Sequence, residues 1–232
     1  MREADAYDGE KHRERIRLRR EREKELRILR ILEAAKRVFF SRGYLRATMD
    51  LIAAEAELSK PTLYQYFKNK DDLYLSLMLP TIARIGEEVE KVRARLTRGR
   101  YGDGSGLVRD LMKAFFKAYE SDPEAFRIVQ VFQQAGLVRK MKSEVGSALD
   151  AQGSHNFRIG REIIREGTRR GLLRKVDPFA LVDVLWGLFV GIVQLEDIKS
   201  QGKETNPFLK KTLRLAERLL AQALDASGKS IP

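Results

Sequence analysis

The residues best suited to chemistry lie between Thr48 and Lys70, in the run TMDLIAAEAELSKPTLYQYFKNK. Leu63 and Phe67 are one helical turn apart, so we expect both to face inward. On the outside or the flanks of the same short helix remain Lys60, Thr62, Tyr64, Gln65 and Tyr66. An ammonium, hydroxyls, an amide and a methyl group can recognise base edges. The pattern predicts a helix that fits the major groove of DNA.

Local signals define the two short helices that carry these residues. Thr48 is a good N-cap, because its side-chain oxygen can accept a hydrogen bond from a free backbone N–H. The first helix should bury Leu51, Ile52 and Ala54. Ser59 caps the second helix, and Pro61 lies in its first turn, where a missing N–H costs nothing.

Two longer helices are expected on either side. The preceding helix should run from about residue 24 to 41, with Ile31, Leu32, Ala35 and Phe39 inward, and Gly43 should end it with a left-handed cap. The following helix should begin at the capping pair Asn69 and Asp72, and continue past Pro80 to about Leu96.

The run from Ile31 to Leu77 resembles the DNA-binding domain of TetR-family (tetracycline-repressor-like) transcriptional regulators. The matching segments are ILEAAKRVFFSRGY, TMDLIAAEAELS and KPTLYQYFKNKDDLY. Caps, apolar positions and loop lengths agree over three helices, which makes the resemblance specific. It implies a base-reading role for Lys60, Pro61, Thr62 and Tyr64. It also implies phosphate contacts by Thr48, Tyr66 and Lys70.

Two residues depart from the family pattern. Asp50 lies near the groove-facing start of the first short helix, where a carboxylate would repel phosphate. It could accept from a cytosine amino group or favour the helix dipole, and we prefer the dipole interpretation. Glu57 occupies a turn position where the family usually has glycine with positive φ. Unless the turn differs, a non-glycine residue there costs on the order of 1 kcal/mol.

Beyond residue 80 the resemblance is in architecture only. It implies an all-α fold, in which an N-terminal three-helix helix-turn-helix domain precedes a C-terminal helical ligand-binding and dimerisation domain. We expect a charged extension over residues 1–24, the DNA-binding domain over 25–72 and the helical domain over 73–232. The C-terminal helices are predicted near 107–120, 123–136, 143–171, 179–199 and 207–224.

The C-terminal helices also suggest an interface and a pocket. We expect homodimer contacts at Gly187, Gly191, Leu215 and Leu219, although both helices could instead pack within one monomer. A pocket is predicted among mostly apolar residues, which favours a hydrophobic effector over a polar one. Its members would be Met78, Ile82, Phe115, Phe126, Val129, Phe132, Gln133, Trp186 and Phe189, any one of which could be ordinary core.

Charge points to a polyanionic partner. The 232 residues include 45 Lys/Arg and 33 Asp/Glu, for a net charge of +12. Residues 1–24 could extend the first helix or fray. They form either a solvated charged helix, which we slightly prefer, or a basic arm on phosphates that uses Arg13, Arg15, Arg17, Arg19, Arg20 and Arg22.

Composition argues against several other classes of protein. There is no cysteine and there are two histidines, so we expect no disulfide, no metal site, no cofactor and no catalytic site. The charged N-terminus is not a secretory signal. The apolar run 180–195 is interrupted by Asp183 and is too short for a bilayer span, so we expect a buried helix, no membrane partner and a cytoplasmic location.

The leading hypothesis is a ligand-responsive dimeric transcriptional regulator, more specifically a repressor, that binds palindromic operator DNA. The alternative is an architectural or assembly protein of the same fold without small-molecule control. An enclosed cavity in the C-terminal domain would favour the first hypothesis over the second.

Overall fold

The computed structural model describes the backbone of residues 2–134, 144–200 and 207–226, and the side chains of residues 11–130, 146–200 and 208–226. Within these ranges the fold is all-α, as predicted. The only extended pairing in them is an isolated bridge between Leu173 and Asp225.

Nine helices follow one another in the described ranges. The first four are α1 (Arg2–Arg46), α2 (Met49–Glu55), α3 (Lys60–Tyr64) and α4 (Lys70–Thr97). The other five are α5 (Gly104–Ser121), α6 (Pro123–Gln134), α7 (Glu144–Arg169), α8 (Pro178–Ser200) and α9 (Pro207–Leu224). The chain divides into two compact units, residues 1–77 and 78–232, and α4 contains the boundary. From the sequence we had expected this boundary at residue 72.

The first unit begins with a helix longer than predicted. α1 starts at Arg2 rather than near residue 24, so the charged extension continues the helix. At Gly43 the backbone leaves helical geometry, with φ 74° and ψ 160°. The positive φ was expected, but this ψ is extended and differs from that of a left-handed helical cap.

α2 buries a different face from the predicted one. Its inward residues are Met49, Ile52 and Ala53, whereas Leu51 is 40% exposed and Ala54 is also exposed. Residues spaced by three and four share one face of a helix, and successive residues are turned by about 100°. Leu51 and Ala54 therefore lie on the side opposite the face that Met49, Ile52 and Ala53 share.

The second unit has one continuous apolar core built from α4 to α9. Aromatic rings of α5, α6 and α8 meet edge to face within it, for example Phe115 with Trp186 and Phe126 with Phe189. The end of α9 is tied to the start of α5, because the buried Asp225 accepts from Ser105 Oγ at 2.9 Å. This packing fixes the helices that surround the cavity described below.

Candidate nucleic-acid interface and apolar cavity

Both predicted N-caps of the helix-turn-helix are present. Leu51 N donates to Thr48 Oγ1 at 3.2 Å, and Thr62 N donates to Ser59 Oγ at 3.3 Å. The caps Thr48 and Ser59 fix where α2 and α3 begin. They therefore also determine which residues of α3 lie at its exposed N-terminal end.

The inward anchors of the recognition segment are also as predicted, since Leu63 is fully buried and Phe67 is 7% exposed. This orientation leaves Lys60, Pro61 and Tyr64 on the outside, with Tyr64 45% exposed. Thr62 and Tyr66 are half-buried. The surface therefore offers an ammonium and a phenol close together, which suits base-edge recognition.

An ion pair that the sequence did not reveal joins α2 to α3. Lys60 Nζ lies 2.7 Å from Asp50 Oδ1, and both side chains are more than half exposed. The hydrogen bond to Asp50 raises the pKa of Lys60, so the ammonium is retained. Asp50 lies in the first turn of α2, where its negative charge interacts favourably with the helix dipole, as expected. It also forms an ion pair with Lys60, a predicted base-reading residue. An exposed pair of this kind is weak enough to exchange for DNA.

Lys70 makes internal contacts in the first unit, and its predicted phosphate contact stays a prediction. Its Nζ donates to the backbone oxygens of Tyr44 at 2.9 Å and Ala47 at 3.0 Å, and lies 4.4 Å from the centre of the Tyr44 ring. The Tyr44 hydroxyl donates to the Asp71 carboxylate. The half-buried ammonium thus faces carbonyl groups, and it fastens the end of α1 and the residue that follows it to the start of α4.

The turn between α2 and α3 keeps the strain expected from its sequence. Glu57 has φ 55° and is the one non-glycine residue with positive φ among those that the structure describes. Leu58 N donates to Ala53 O at 2.9 Å, which closes the turn. The backbone therefore adopts the conformation that glycine usually supplies.

An apolar cavity of about 80 Å³ lies inside the second unit. α4 contributes Ile82, Ile85 and Val89 to its wall, and α5 and α6 contribute Leu111, Phe115 and Val129. From α7 and α8 come Gly153, Asn156, Phe157, Gly160, Ile164, Val182, Leu185 and Trp186.

Four of the nine predicted pocket residues line this cavity: Ile82, Phe115, Val129 and Trp186. Met78, Phe126 and Phe189 do not line it. All three are almost completely buried, and the two phenylalanine rings pack behind Trp186. Phe132 and Gln133 lie outside the residues whose side chains are described.

The α7 wall was missed altogether, although one sequence pattern could have indicated it. Gly153, Gly160 and Gly167 recur every seven residues along α7. A Cβ atom at Gly160 would lie 3.2 Å from Val182, and one at Gly167 would lie 2.8 Å from Leu107. Small residues at helical spacing mark the face through which α7 approaches its neighbours.

Asn156 is the one polar side chain in the described wall of the cavity. Its Nδ2 donates to Ile82 O at 2.7 Å, and its Oδ1 accepts from Gln152 Nε2 at 3.0 Å. A Cβ atom at Gly86 would lie only 2.4 Å from Asn156 Oδ1, so glycine permits this approach. The side chain thereby links α7 to α4 at the cavity.

Two arginines stand beside the cavity-lining residues of α7. Arg161 and Arg165 place their guanidinium carbons 4.6 Å and 5.6 Å from the centre of the exposed Phe179 ring. Among the described residues, neither makes a salt bridge with a carboxylate. Neither arginine lines the cavity, and each directly follows a residue that does, Gly160 or Ile164.

The predicted dimer residues are exposed on one face of α8 and α9. Cβ atoms at Gly187 and Gly191 would meet nothing within 4 Å, and Leu215 and Leu219 are 49% and 58% exposed. Other large apolar side chains are also exposed on these two helices: Val184, Leu195, Ile198 and Phe208. So much exposed apolar surface is typical of an interaction site.

α8 is longer than the apolar run that we judged too short for a membrane. Over its 23 residues it is long and apolar enough to cross one, and a third of its most apolar window is buried. Within the single chain this helix is therefore only partly buried, whereas a buried helix was expected. A single such helix is weak evidence for a membrane span, because helices that pack in a core or an interface pass the same test.

Comparison with known proteins identifies the first unit. Residues 31–77 match the model of the bacterial regulatory proteins of the tetR family. This part of the chain is a tetR-family DNA-binding domain. The HTH-type transcriptional activator FasR of Mycolicibacterium smegmatis is 35% identical over 99 residues, which cover 43% of this chain and 43% of FasR. The match therefore spans less than half of that relative.

Solved structures share the fold over most of the chain. AibR, in complex with isovaleryl coenzyme A and operator DNA, matches with a TM-score of 0.64 and 20% identity, over 84% of this chain and 98% of AibR. FadR from Bacillus subtilis, in complex with stearoyl-CoA, matches with a TM-score of 0.60 and 19% identity, over 84% of this chain and 98% of FadR.

Proposed function

We propose that this tetR-family protein is a dimeric, cytoplasmic transcriptional repressor that releases operator DNA when the apolar group of an effector binds in the cavity. The observation that carries the proposal is the apolar cavity in the second unit, lined by Ile82, Ile85 and Val89 of the same helix that begins at Lys70 in the DNA-binding unit. Such a cavity favours ligand control over the architectural alternative, which would need none.

The operator would be read by the exposed N-terminal end of α3. Lys60, Pro61, Thr62 and Tyr64 would contact bases, whereas Thr48 and Tyr66 would contact phosphates. A dimer presents two such surfaces, so the site should be a palindrome with half-sites about one helical turn apart or somewhat more. Selection from a random DNA pool would identify it. An unsymmetrical selected site would contradict the proposal.

The dimer would form through the exposed apolar face of α8 and α9. The two glycines of α8 let another backbone approach closely, and the leucines of α9 supply apolar area. Two helices from each protomer would then make a four-helix interface. The apolar composition of α8 fits burial in such an interface without any membrane.

The effector class that fits best is an acyl thioester of coenzyme A. The wall is apolar except for Asn156, and Arg161 and Arg165 could hold phosphate groups beside it. The structures of AibR and FadR, which share the fold, contain isovaleryl coenzyme A and stearoyl-CoA respectively. A space of about 80 Å³ favours a short or branched acyl group, and a longer chain would require aromatic side chains to move.

The single tryptophan makes this testable, because Trp186 is the only tryptophan in the chain and lines the cavity. Titration with isovaleryl, octanoyl and stearoyl coenzyme A should change its fluorescence in a saturable manner. Coenzyme A alone and the free acids are the controls, and both should bind more weakly. Ile82→Phe should fill the cavity and abolish the change, whereas the surface variant Leu45→Phe in the first unit should retain it. No saturable change with any thioester would contradict this effector class.

A further inference from the structure

The N-terminal part of α1 is a strongly cationic helix that lies outside the helix-turn-helix. Residues 11–30 contain ten Lys/Arg and four Glu, and nearly all of these residues are exposed. The one non-helical residue inside α1 is Gly43, so residues 11–42 form one uninterrupted helix. The extension is therefore a rigid continuation of the DNA-binding unit.

Five of the cations share one face of this helix. They follow each other at alternating spacings of four and three residues, which keeps them in line: Arg13, Arg17, Arg20, Lys24 and Arg27. Four of them line a common shallow groove with Ile16 and Glu21. We refer to these five residues as the cationic stripe.

The same spacing continues into the DNA-binding unit. Ile31, Ala34 and Val38 follow in the four-and-three pattern, and all three are buried there. The cationic stripe thus lies on the same side of α1 as the residues that, from Ile31 onward, are buried in the first unit. The opposite side of the extension differs, because Leu18 and Leu29 interrupt its charges and are 42% and 58% exposed.

We propose that the cationic stripe binds the phosphate backbone of DNA that flanks the half-site read by α3. The proposal rests on the proposed function. Arg13 is eighteen residues from Ile31, or about 27 Å along the helix axis. The extension is therefore much longer than α3, which has five residues. Duplex DNA carries about one charge per 1.7 Å of its axis, so a rigid stripe of this length can follow several phosphates.

Existing ion pairs do not prevent this binding. Arg17 contacts Glu14 at 2.6 Å, but both side chains are about half exposed or more. Exposed pairs of this kind contribute little, so phosphate can replace the carboxylate. An anionic membrane could also attract a basic helix. DNA is favoured over a membrane because the stripe and the predicted base-reading residues belong to the same compact unit.

Two triple variants with equal charge test the proposal. The stripe variant carries Arg13→Gln, Arg17→Gln and Arg20→Gln. The matched control carries Arg15→Gln, Arg19→Gln and Arg22→Gln on the opposite side. Glutamine keeps most of the helix propensity of arginine, and circular dichroism should confirm equal helicity. Affinity would be measured at several salt concentrations on two duplexes, the trimmed palindrome and the same palindrome with about ten base pairs of random flank on each side.

We expect the wild-type protein and the matched control to gain affinity from the flanks. The stripe variant should lose this gain, bind the trimmed palindrome normally, and show a salt slope on flanked DNA smaller by roughly two to three for each protomer. Equal losses in the two variants would indicate a general charge effect and overturn the proposal, as would no loss in either variant.

A parallel measurement with phosphatidylserine vesicles covers the membrane alternative. If the stripe variant lost vesicle binding but kept its gain from flanking DNA, a membrane surface would be the partner and the proposal would be wrong. Failure of the wild-type protein to bind even the trimmed palindrome would contradict the proposed function itself. The trimmed duplex therefore separates the two failures.

Discussion

At the start of α4, one ammonium holds together parts of the chain that are far apart in sequence. Lys70 donates to carbonyls of residues 44 and 47, and its neighbour Asp71 accepts from the Tyr44 hydroxyl. Burial, followed by the hydrogen bond to Asp71, raises the pKa of Tyr44, so this hydroxyl keeps its proton. The cluster positions the beginning of α2, where Thr48 would meet phosphate.

Lys70→Ala should therefore loosen the first unit rather than remove a phosphate contact. Loss of two charge-assisted hydrogen bonds should cost about 2 kcal/mol of local stability. Amide exchange near residues 44–47 should accelerate more than tenfold. Lys68→Ala is the matched control, because Lys68 is exposed and makes no described ion pair. Unchanged exchange in Lys70→Ala, together with a flatter salt dependence of DNA binding, would restore the phosphate role.

Tyr64 is predicted to read bases. Because its ring is exposed at the outer face of α3, Tyr64→Ala should cost about 1–3 kcal/mol on the selected palindrome and little on random DNA. Gln65→Ala, at the adjacent exposed position, should leave the preference unchanged. Competition binding with both DNAs measures this directly. An equal loss on both DNAs would show that Tyr64 does not discriminate sequence.

Among the elements, the turn between α2 and α3 carries a measurable strain. Glu57→Gly should increase the free energy of unfolding of the first unit by roughly 0.5–1 kcal/mol, because glycine accepts positive φ without penalty. Glu57→Ala keeps the same steric conflict and should show no such gain. Hydrogen exchange of the buried amides of this unit would measure both changes. Equal stability of the two variants would indicate that the turn is not strained.

Caps were the most predictable features of these elements. Thr48, Ser59 and Asn69 all accept from the backbone N–H three residues later, because this interaction is local in sequence. The inward face of α2 was less predictable, since a seven-residue helix offers few apolar positions from which to judge. Lys70 and the Asp50–Lys60 pair were unpredictable for another reason: their partners depend on how separate helices meet.

The cavity shows the same limit. The sequence indicated Ile82, Phe115 and Trp186 because large apolar residues favour a core. It did not indicate that Phe126 would lie behind the wall, or that Gly160 would form part of it. The residues that face the cavity are determined by how closely α7 approaches its neighbours. This approach depends on glycines, which have no polar or aromatic side chain to indicate their role in the sequence.

For the whole molecule, assembly is the first requirement of the proposed function. The double variant Leu215→Glu and Leu219→Glu places charge on the exposed face of α9. It should convert the proposed dimer into a folded monomer, because charged residues are depleted in interface cores. Leu45→Glu is the control, since Leu45 is 87% exposed in the first unit. Analytical ultracentrifugation should show dissociation of the double variant alone. A dimer that survives it would place the interface elsewhere.

The second requirement is coupling between cavity and DNA, and α4 is the element proposed to transmit it. It begins at Lys70, which is anchored in the DNA-binding unit, and continues to Ile82, whose carbonyl accepts from Asn156 beside the cavity. A ligand that displaced Asn156 or pushed against Ile82 would bias the position of this helix. Linkage then requires that DNA weaken ligand binding by the factor by which ligand weakens DNA binding.

The most direct measurement is a titration of Trp186 fluorescence with acyl coenzyme A, in the absence and presence of saturating palindromic DNA. We predict that DNA raises the apparent Kd of the ligand by about tenfold, and that saturating ligand weakens DNA binding by the same factor. Identical ligand affinities with and without DNA would contradict the account, because a cavity that does not sense DNA cannot control its release.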